Sequence, residues 1–186
     1  MMAEDPIPTP YPRRALVDAS VLLDVALGRA GAQAPARFQR SRKLLDDAIE
    51  GEFELLLPSS ILLELTSQCD GVIGTRPRLN KREADRRKRV VDWCRASGLS
   101  MVDLTADAAL WFAADTPFQV LSPGEASVLA SARYAHAEVV YTWDDSFIKA
   151  VDKADRQAPC GVRVCNPPLL PAVQEDLFTA MEVAEH

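Results

Sequence analysis

Histidine is rare in this chain of 186 residues, which contains only His136 and His186. Its four cysteines are spread over the sequence, at positions 69, 94, 160 and 165. A structural zinc site takes about four cysteine or histidine ligands at short spacings, so a zinc site is hard to assemble from these residues. We expect the cysteines to be reduced thiols rather than a disulfide framework.

A long apolar run is missing from the start of the chain, which reads MMAEDPIPTPYPRR. We therefore expect neither a secretion signal nor a membrane anchor there. Residues 1–13 are predicted to form a disordered, proline-rich lead. The composition, 48% apolar and 26% charged, is typical of a soluble globular protein, and the cytoplasm is the expected location.

The charge of the chain is unevenly distributed. The net charge is −6, yet residues 76–95 contain nine bases and three acids, a local net charge of +6. Such a stretch can hold a polyanion while the rest of the protein stays acidic. It can equally be a solvated helix face, and charge alone favours that simpler interpretation. The bases that we consider for nucleic-acid binding are Arg82, Arg86, Arg87 and Arg89.

Short apolar runs alternate with helical patterns along the chain, which predicts an α/β fold with a mostly parallel sheet. The predicted strands are residues 15–17, 53–57, 99–104, 138–142 and 162–165. We expect a three-layer α/β/α domain over residues 14–175, with a basic helical insertion around 76–97 and a C-terminal helix or tail over 176–186. Ser20 is predicted to cap the first helix.

Four acids stand at a similar place in this pattern. Asp18 and Asp144 directly follow predicted strands, while Glu64 and Glu125 lie in the first turns of predicted helices. Such positions converge on the crevice at the carboxyl ends of the strands, where α/β proteins bind ligands. Carboxylates gathered there are suited to Mg²⁺ or Mn²⁺, which can activate water for phosphodiester hydrolysis. Taken singly, each acid has a simpler interpretation: Asp18 could cap the first helix, Glu64 could be a solvated carboxylate, Glu125 could serve only the helix dipole, and Asp144 or Asp145 could be turn formers.

Several segments resemble the motifs of the PIN-domain family, especially its VapC-like ribonuclease toxins. The similar segments are ALVDASVLL at 15–23, LPSSILLEL at 57–65, LSPGEA at 121–126, VVYTWDDSF at 139–147 and GVRVCNP at 161–167. Each motif is weak alone, but their order and spacing together are fairly specific. In two places the chain departs from the family pattern. Glu125 stands where aspartate is common, and Ser146 stands where a further acid is common.

The resemblance implies roles for particular residues. The predicted catalytic and metal-binding acids are Asp18, Glu64, Glu125 and Asp144. Ser20 would orient the first aspartate, Thr142 would support the fourth acid by hydrogen bonding, and Asp145 would partly compensate for Ser146. The implied activity is a Mg²⁺- or Mn²⁺-dependent endoribonuclease with RNA as substrate. An antitoxin protein partner and a homodimer are further implications of the family.

Two other classes of protein compete with the nuclease interpretation. A non-catalytic PIN-like module that binds RNA or a protein partner is favoured by the departures at Glu125 and Ser146. A phosphotransfer protein of the haloacid-dehalogenase type is disfavoured, because Ser20 stands where that class has a second aspartate. We therefore expect a nuclease, with the binding module as the alternative.

Overall fold

The computed structural model describes residues 11–27, 35–62, 81–114 and 116–169. Five parallel strands form one sheet in the order β3-β2-β1-β4-β5. The strands are β1 (Arg14–Val17), β2 (Glu54–Pro58), β3 (Ser100–Val102), β4 (Val139–Tyr141) and β5 (Arg163–Cys165). The predicted parallel α/β sheet is confirmed.

Helices connect the strands. They are α1 (Ala19–Leu27), α2 (Pro35–Glu50), α3 (Lys81–Ala96), α4 (Ala106–Ala114), α5 (Pro123–Tyr134) and α6 (Asp145–Asp155), with a 3₁₀ helix at Thr116–Val120. Residues 59–62 are also helical and follow β2 directly. No helix in the described ranges is long and apolar enough to cross a membrane.

The two faces of the sheet are covered by different helices, because successive strand residues point to opposite faces. Ala15 and Val17 belong to one hydrophobic cluster, which includes buried residues of α1, α2 and α3. Leu16, between them, belongs to a second cluster built from α5, α6 and the 3₁₀ helix. Full burial of one leucine side chain stabilises a fold by roughly 1.5–3 kcal/mol. The predicted three-layer α/β/α architecture is therefore confirmed.

Some predicted boundaries were wrong. Ser20 does not cap the first helix, because α1 already begins at Ala19 and Ser20 lies in its first turn. Helix α2 begins at Pro35, and proline suits a first helical turn, where its missing N–H has no intrahelical partner. Strand β2 includes Pro58, which pairs with Val102. Proline is tolerated there because the strand ends at that residue.

Tyr11 packs the chain that precedes β1 onto α2. Its ring stacks on Phe53 with 4.5 Å between centroids, and its hydroxyl donates to Asp47 Oδ2 at 2.5 Å. Asp47 is buried and also accepts from Lys43 Nζ at 2.6 Å. Residues 1–10 of the predicted lead and the whole predicted tail lie outside the described residues.

Candidate active site

The carboxyl ends of β1, β4 and β5 lie side by side. Val17 pairs with Tyr141, and Tyr141 pairs with Cys165. Backbone bonds extend this alignment past the strands: Asp18 N–H donates to Tyr141 O at 2.9 Å, and Thr142 N–H donates to Cys165 O at 3.0 Å. The parallel register thus brings residues more than 120 positions apart in sequence to one edge of the sheet.

Asp18 is held through one of its two carboxylate oxygens. Its Oδ2 accepts from the hydroxyls of Ser20 at 2.7 Å and Thr142 at 2.8 Å, and more weakly from Ser20 N–H at 3.4 Å. Its Oδ1 accepts no hydrogen bond from the residues that the structure describes. The Ser20 hydroxyl therefore makes the contact that was predicted to orient Asp18.

Thr142 connects the two strand-end aspartates. It is fully buried, and its Oγ1 both donates to Asp18 Oδ2 and accepts from Asp144 N–H at 3.0 Å. Thr142 was predicted to support only the fourth acid, Asp144. In the structure its hydroxyl contacts the side chain of the first acid and the backbone of the fourth.

Asp144 caps α6, a helix that the sequence patterns did not predict. Its Oδ1 accepts from Ser146 N–H at 2.8 Å, from Phe147 N–H at 3.2 Å and from the Ser146 hydroxyl. These bonds, the Ser146 hydroxyl first among them, hold the pKa of Asp144 below its usual range despite some opposing desolvation. Within the described residues, its Oδ2 accepts no hydrogen bond. Asp145 begins α6 and is exposed.

Glu125 forms the capping box of α5. Its Oε2 accepts from Ser122 N–H at 2.7 Å, while Ser122 Oγ accepts from Glu125 N–H at 3.4 Å. Two residues on, Ser127 Oγ donates to Ser60 Oγ at 3.2 Å, which joins α5 to the helical segment after β2. Glu125 therefore serves its own helix in this structure, as the simpler interpretation of its sequence position expected.

Comparison with known proteins identifies the family. A family model described as PIN domain matches residues 15–153. The chain belongs to the PIN-domain family. Its fold is also similar to a solved structure, "Structure of FitAB bound to IR36 DNA fragment", with a TM-score of 0.55. The two sequences are 17% identical, and the match covers 85% of this chain and 99% of that chain. A search of curated proteins found no match.

The acids predicted to bind metal are described only in part. Glu64 lies outside the described residues, and among those described no three histidine, cysteine, aspartate or glutamate side chains form a metal-binding group. Asp18 and Asp144 each keep one oxygen without a hydrogen bond in the described region. Mg²⁺ is usually held by one or two carboxylates together with waters. The donor chemistry of this pair therefore fits Mg²⁺ or Mn²⁺.

The basic helix of the PIN domain packs beside the helix that follows Asp18. Helix α3 contacts α1, and Val90, Val91 and Cys94 are buried in the first hydrophobic cluster. Arg89 is exposed, whereas the side chains of Arg82, Arg86 and Arg87 lie outside the description. Helix α3 thus combines a buried apolar side with at least one solvated base.

Trp143 is a residue of the PIN domain whose surroundings sequence patterns did not reveal. Its ring packs against the first hydrophobic cluster. It also contacts Arg37, Arg40 and Ser41 of α2. The spacing of these three residues marks one helix face, but only the sheet register shows that Trp143 lies against it.

Proposed function

We propose that this PIN-domain protein is a Mg²⁺- or Mn²⁺-dependent endoribonuclease that hydrolyses RNA phosphodiester bonds. The observation that carries the proposal is the shared contact at Thr142, which links two aspartates from neighbouring strand ends. Acceptance of the Asp144 N–H by Thr142 is an ordinary turn contact, but a turn does not need the second bond, from the buried Thr142 hydroxyl to Asp18. The arrangement is better suited to holding two carboxylates at one ligand.

Asp18 and Asp144 would hold the cation through Oδ1 and Oδ2 respectively, the oxygens that accept no hydrogen bond from the described residues. A divalent ion bound by carboxylates can lower the pKa of a water and stabilise charge on a leaving oxygen. The protein's own contribution is to orient both acids. Ser20 and Thr142 donate to Asp18, and the depressed pKa of Asp144 keeps this carboxylate charged at neutral pH.

Glu64 and Glu125 are proposed as the remaining acids of the site. For Glu125 this requires Oε1, because Oε2 is engaged with Ser122 in the capping box. The additional methylene of glutamate over aspartate gives the side chain the reach to serve both purposes. Ser146 stands where the family pattern commonly has a further acid. Asp145, which is exposed at the start of α6, is proposed as the supporting acid instead.

The proposed substrate is RNA, bound in part by the basic helix α3. FitAB, which shares the fold, is described as bound to a DNA fragment, so the substrate test below includes DNA. Proteins that neutralise phosphates with lysine and arginine bind nucleic acid in a salt-dependent manner. Of the proposed nucleic-acid contacts, Arg89 is exposed and therefore available to a phosphate.

The biological role that we propose is that of a VapC-like toxin, acting in the cytoplasm as a homodimer and neutralised by an antitoxin protein. Membership of the PIN-domain family supports this role. Expression without the antitoxin is expected to arrest growth, and Asp18→Asn is expected to relieve the arrest if cleavage causes it.

The alternative is a non-catalytic PIN module that binds RNA or a protein. The engagement of Glu125 in the capping box and the replacement of an acid by Ser146 favour it. Such a module would bind RNA without cleaving it, and Asp18→Asn would leave the affinity unchanged or raise it by removing a negative charge. The two functions therefore differ in a measurable way.

The deciding experiment compares the wild-type protein with Asp18→Asn, Asp144→Asn and a control, Asp107→Asn. Asp107 is an exposed acid in the first turn of α4, in a cavity that also contains His136, near the amino end of β4. All four proteins are purified identically and incubated with single-stranded RNA and with DNA of the same sequence, in Mg²⁺, Mn²⁺ or EDTA.

We expect the wild-type protein and Asp107→Asn to cleave RNA only with a divalent ion. Each strand-end variant should lose at least about 100-fold in rate, because even outer-shell changes cost 10–100-fold at metal sites. Equal cleavage by all four proteins would refute the proposed site. RNA binding by the wild-type protein without cleavage in any ion would establish the alternative.

A further inference from the structure

Trp143 lies in the sequence between Thr142, which connects the two acids, and Asp144, the second of these acids. Its backbone N–H donates to Ser20 Oγ at 2.9 Å, and its indole Nε1–H donates to Ser41 Oγ at 2.7 Å. Ser41 is fully buried in α2. Trp143 is therefore bonded at its backbone to the residue that orients Asp18 and at its ring to a helix of the outer layer.

Two guanidinium groups lie next to the Trp143 ring. The Cζ atoms of Arg37 and Arg40 are each 4.8 Å from its centroid. A cation at such a distance from an indole contributes roughly 0.5–1 kcal/mol when exposed, and about 2 kcal/mol or more when desolvated. Both arginines are partly buried, so their contacts to the ring are stronger than those of a freely solvated pair.

Both arginines are themselves tied to other elements. Arg37 Nε donates to Asp24 Oδ2 at 2.8 Å, and Asp24 is buried in α1. Arg40 donates from Nε to Pro168 O at 3.0 Å and from Nη2 to Pro167 O, just after β5. The ring of Trp143 is thus the point at which α1, α2 and the chain after β5 are joined to the loop that carries Asp144.

We propose that Trp143 is a positioning residue, which holds the loop 142–144 so that Asp18 Oδ1 and Asp144 Oδ2 face one divalent cation. This inference rests on the function proposed above and adds the device that aligns its two acids. The indole acts through Thr142 and Ser20 rather than on the ion. Metal sites need their ligands within about 0.5 Å of the productive geometry. The indole contacts fix the middle of a loop whose two ends are held by β4 and α6.

The test measures Mn²⁺ affinity, without RNA, by the paramagnetic effect of bound Mn²⁺ on water-proton relaxation. Trp143→Phe keeps an aromatic ring beside the arginines and removes the indole N–H that Ser41 accepts. Trp111→Phe is the matched control, since Trp111 is also half-buried and lies 4.0 Å from Arg133 Cζ. Trp111 packs against the second hydrophobic cluster, on the other face of the sheet.

We expect Trp143→Phe to weaken Mn²⁺ binding roughly tenfold or more, as loss of an outer-shell partner does at other metal sites. Trp111→Phe should bind Mn²⁺ like the wild-type protein, even if both variants lose similar stability. A merely structural role of Trp143 would lower the unfolding temperature without changing the affinity of the folded protein. Ser41→Ala removes the acceptor of the same hydrogen bond. If Trp143→Phe does not fold, the Mn²⁺ affinity of Ser41→Ala tests the positioning role instead.

Asp18→Asn separates failure of this inference from failure of the proposed function. If Asp18→Asn loses Mn²⁺ binding while Trp143→Phe and Ser41→Ala retain it, the positioning role is overturned and the nuclease site stands. If Asp18→Asn binds Mn²⁺ as the wild-type protein does, the acids are not the ligands and both proposals are overturned. Equal weakening in Trp143→Phe and Trp111→Phe would also overturn the positioning role.

Discussion

Replacement of Thr142 by valine tests the contact on which the candidate site is built. Valine has nearly the same shape as threonine but lacks the hydroxyl, which donates to Asp18 Oδ2 and accepts from Asp144 N–H. Thr142 is fully buried, so water would not readily replace the lost partner. Thr142→Ser is the matched control, because it keeps the hydroxyl and removes only a methyl group.

The size of the effect follows from the two hydrogen bonds. A bond to a charged group contributes about 1.5–3 kcal/mol, and an unsatisfied buried donor costs about 1–3 kcal/mol. Since neighbouring effects are not additive, we expect Thr142→Val to lose about 3 kcal/mol of unfolding free energy. Thr142→Ser should lose only about 1 kcal/mol, the contribution of one buried methyl group.

The assay is thermal and denaturant unfolding of the metal-free protein in EDTA. In a domain of this size each kcal/mol shifts the unfolding temperature by about 2–4 °C, so the valine variant should unfold about 6–12 °C below the wild-type protein. The serine variant should stay within about 4 °C of it. A valine variant as stable as the serine variant would show that the hydroxyl does not link Asp18 and Asp144 as described.

Two further predictions concern the basic helix and the N-terminal tyrosine. Arg89→Ala is expected to weaken RNA binding and to reduce the slope of log affinity against log salt by about 0.7, the contribution of one phosphate contact in a single strand. Arg95→Ala is the control and should change neither the RNA affinity nor its salt dependence, because Arg95 already lies 4.0 Å from Asp92. An unchanged salt dependence in Arg89→Ala would identify α3 as a solvated or protein-binding face. Burial first, and then the hydrogen bond to Asp47, raise the pKa of Tyr11 above its usual value. Protonated Tyr11 therefore contributes fully to the free energy of unfolding below about pH 10, and this contribution is lost as the pH rises above that value. The loss is at most about 1.4 kcal/mol per pH unit. Tyr11→Phe should flatten this alkaline decline in unfolding free energy, and identical declines in the two proteins would contradict the assignment.

The sequence by itself determined the α/β/α architecture and the places of Asp18 and Asp144. Apolar runs such as residues 15–17 and 139–141 are local signals, and a parallel sheet necessarily brings the ends of its strands to one edge. Boundaries were less predictable. Pro35 is read from sequence as part of a loop, yet it begins α2, because the first turn of a helix tolerates a missing N–H.

Only the tertiary structure decided what each side chain of the site contacts. The sequence pattern did not show that Thr142 donates to Asp18 or that Glu125 accepts from Ser122. Nor did it show that the Trp143 indole donates to Ser41, 102 positions away in sequence. Hydrogen-bond partners depend on strand register and on the packing of helices against the sheet. Those are set by the whole core rather than by the residues nearby in sequence.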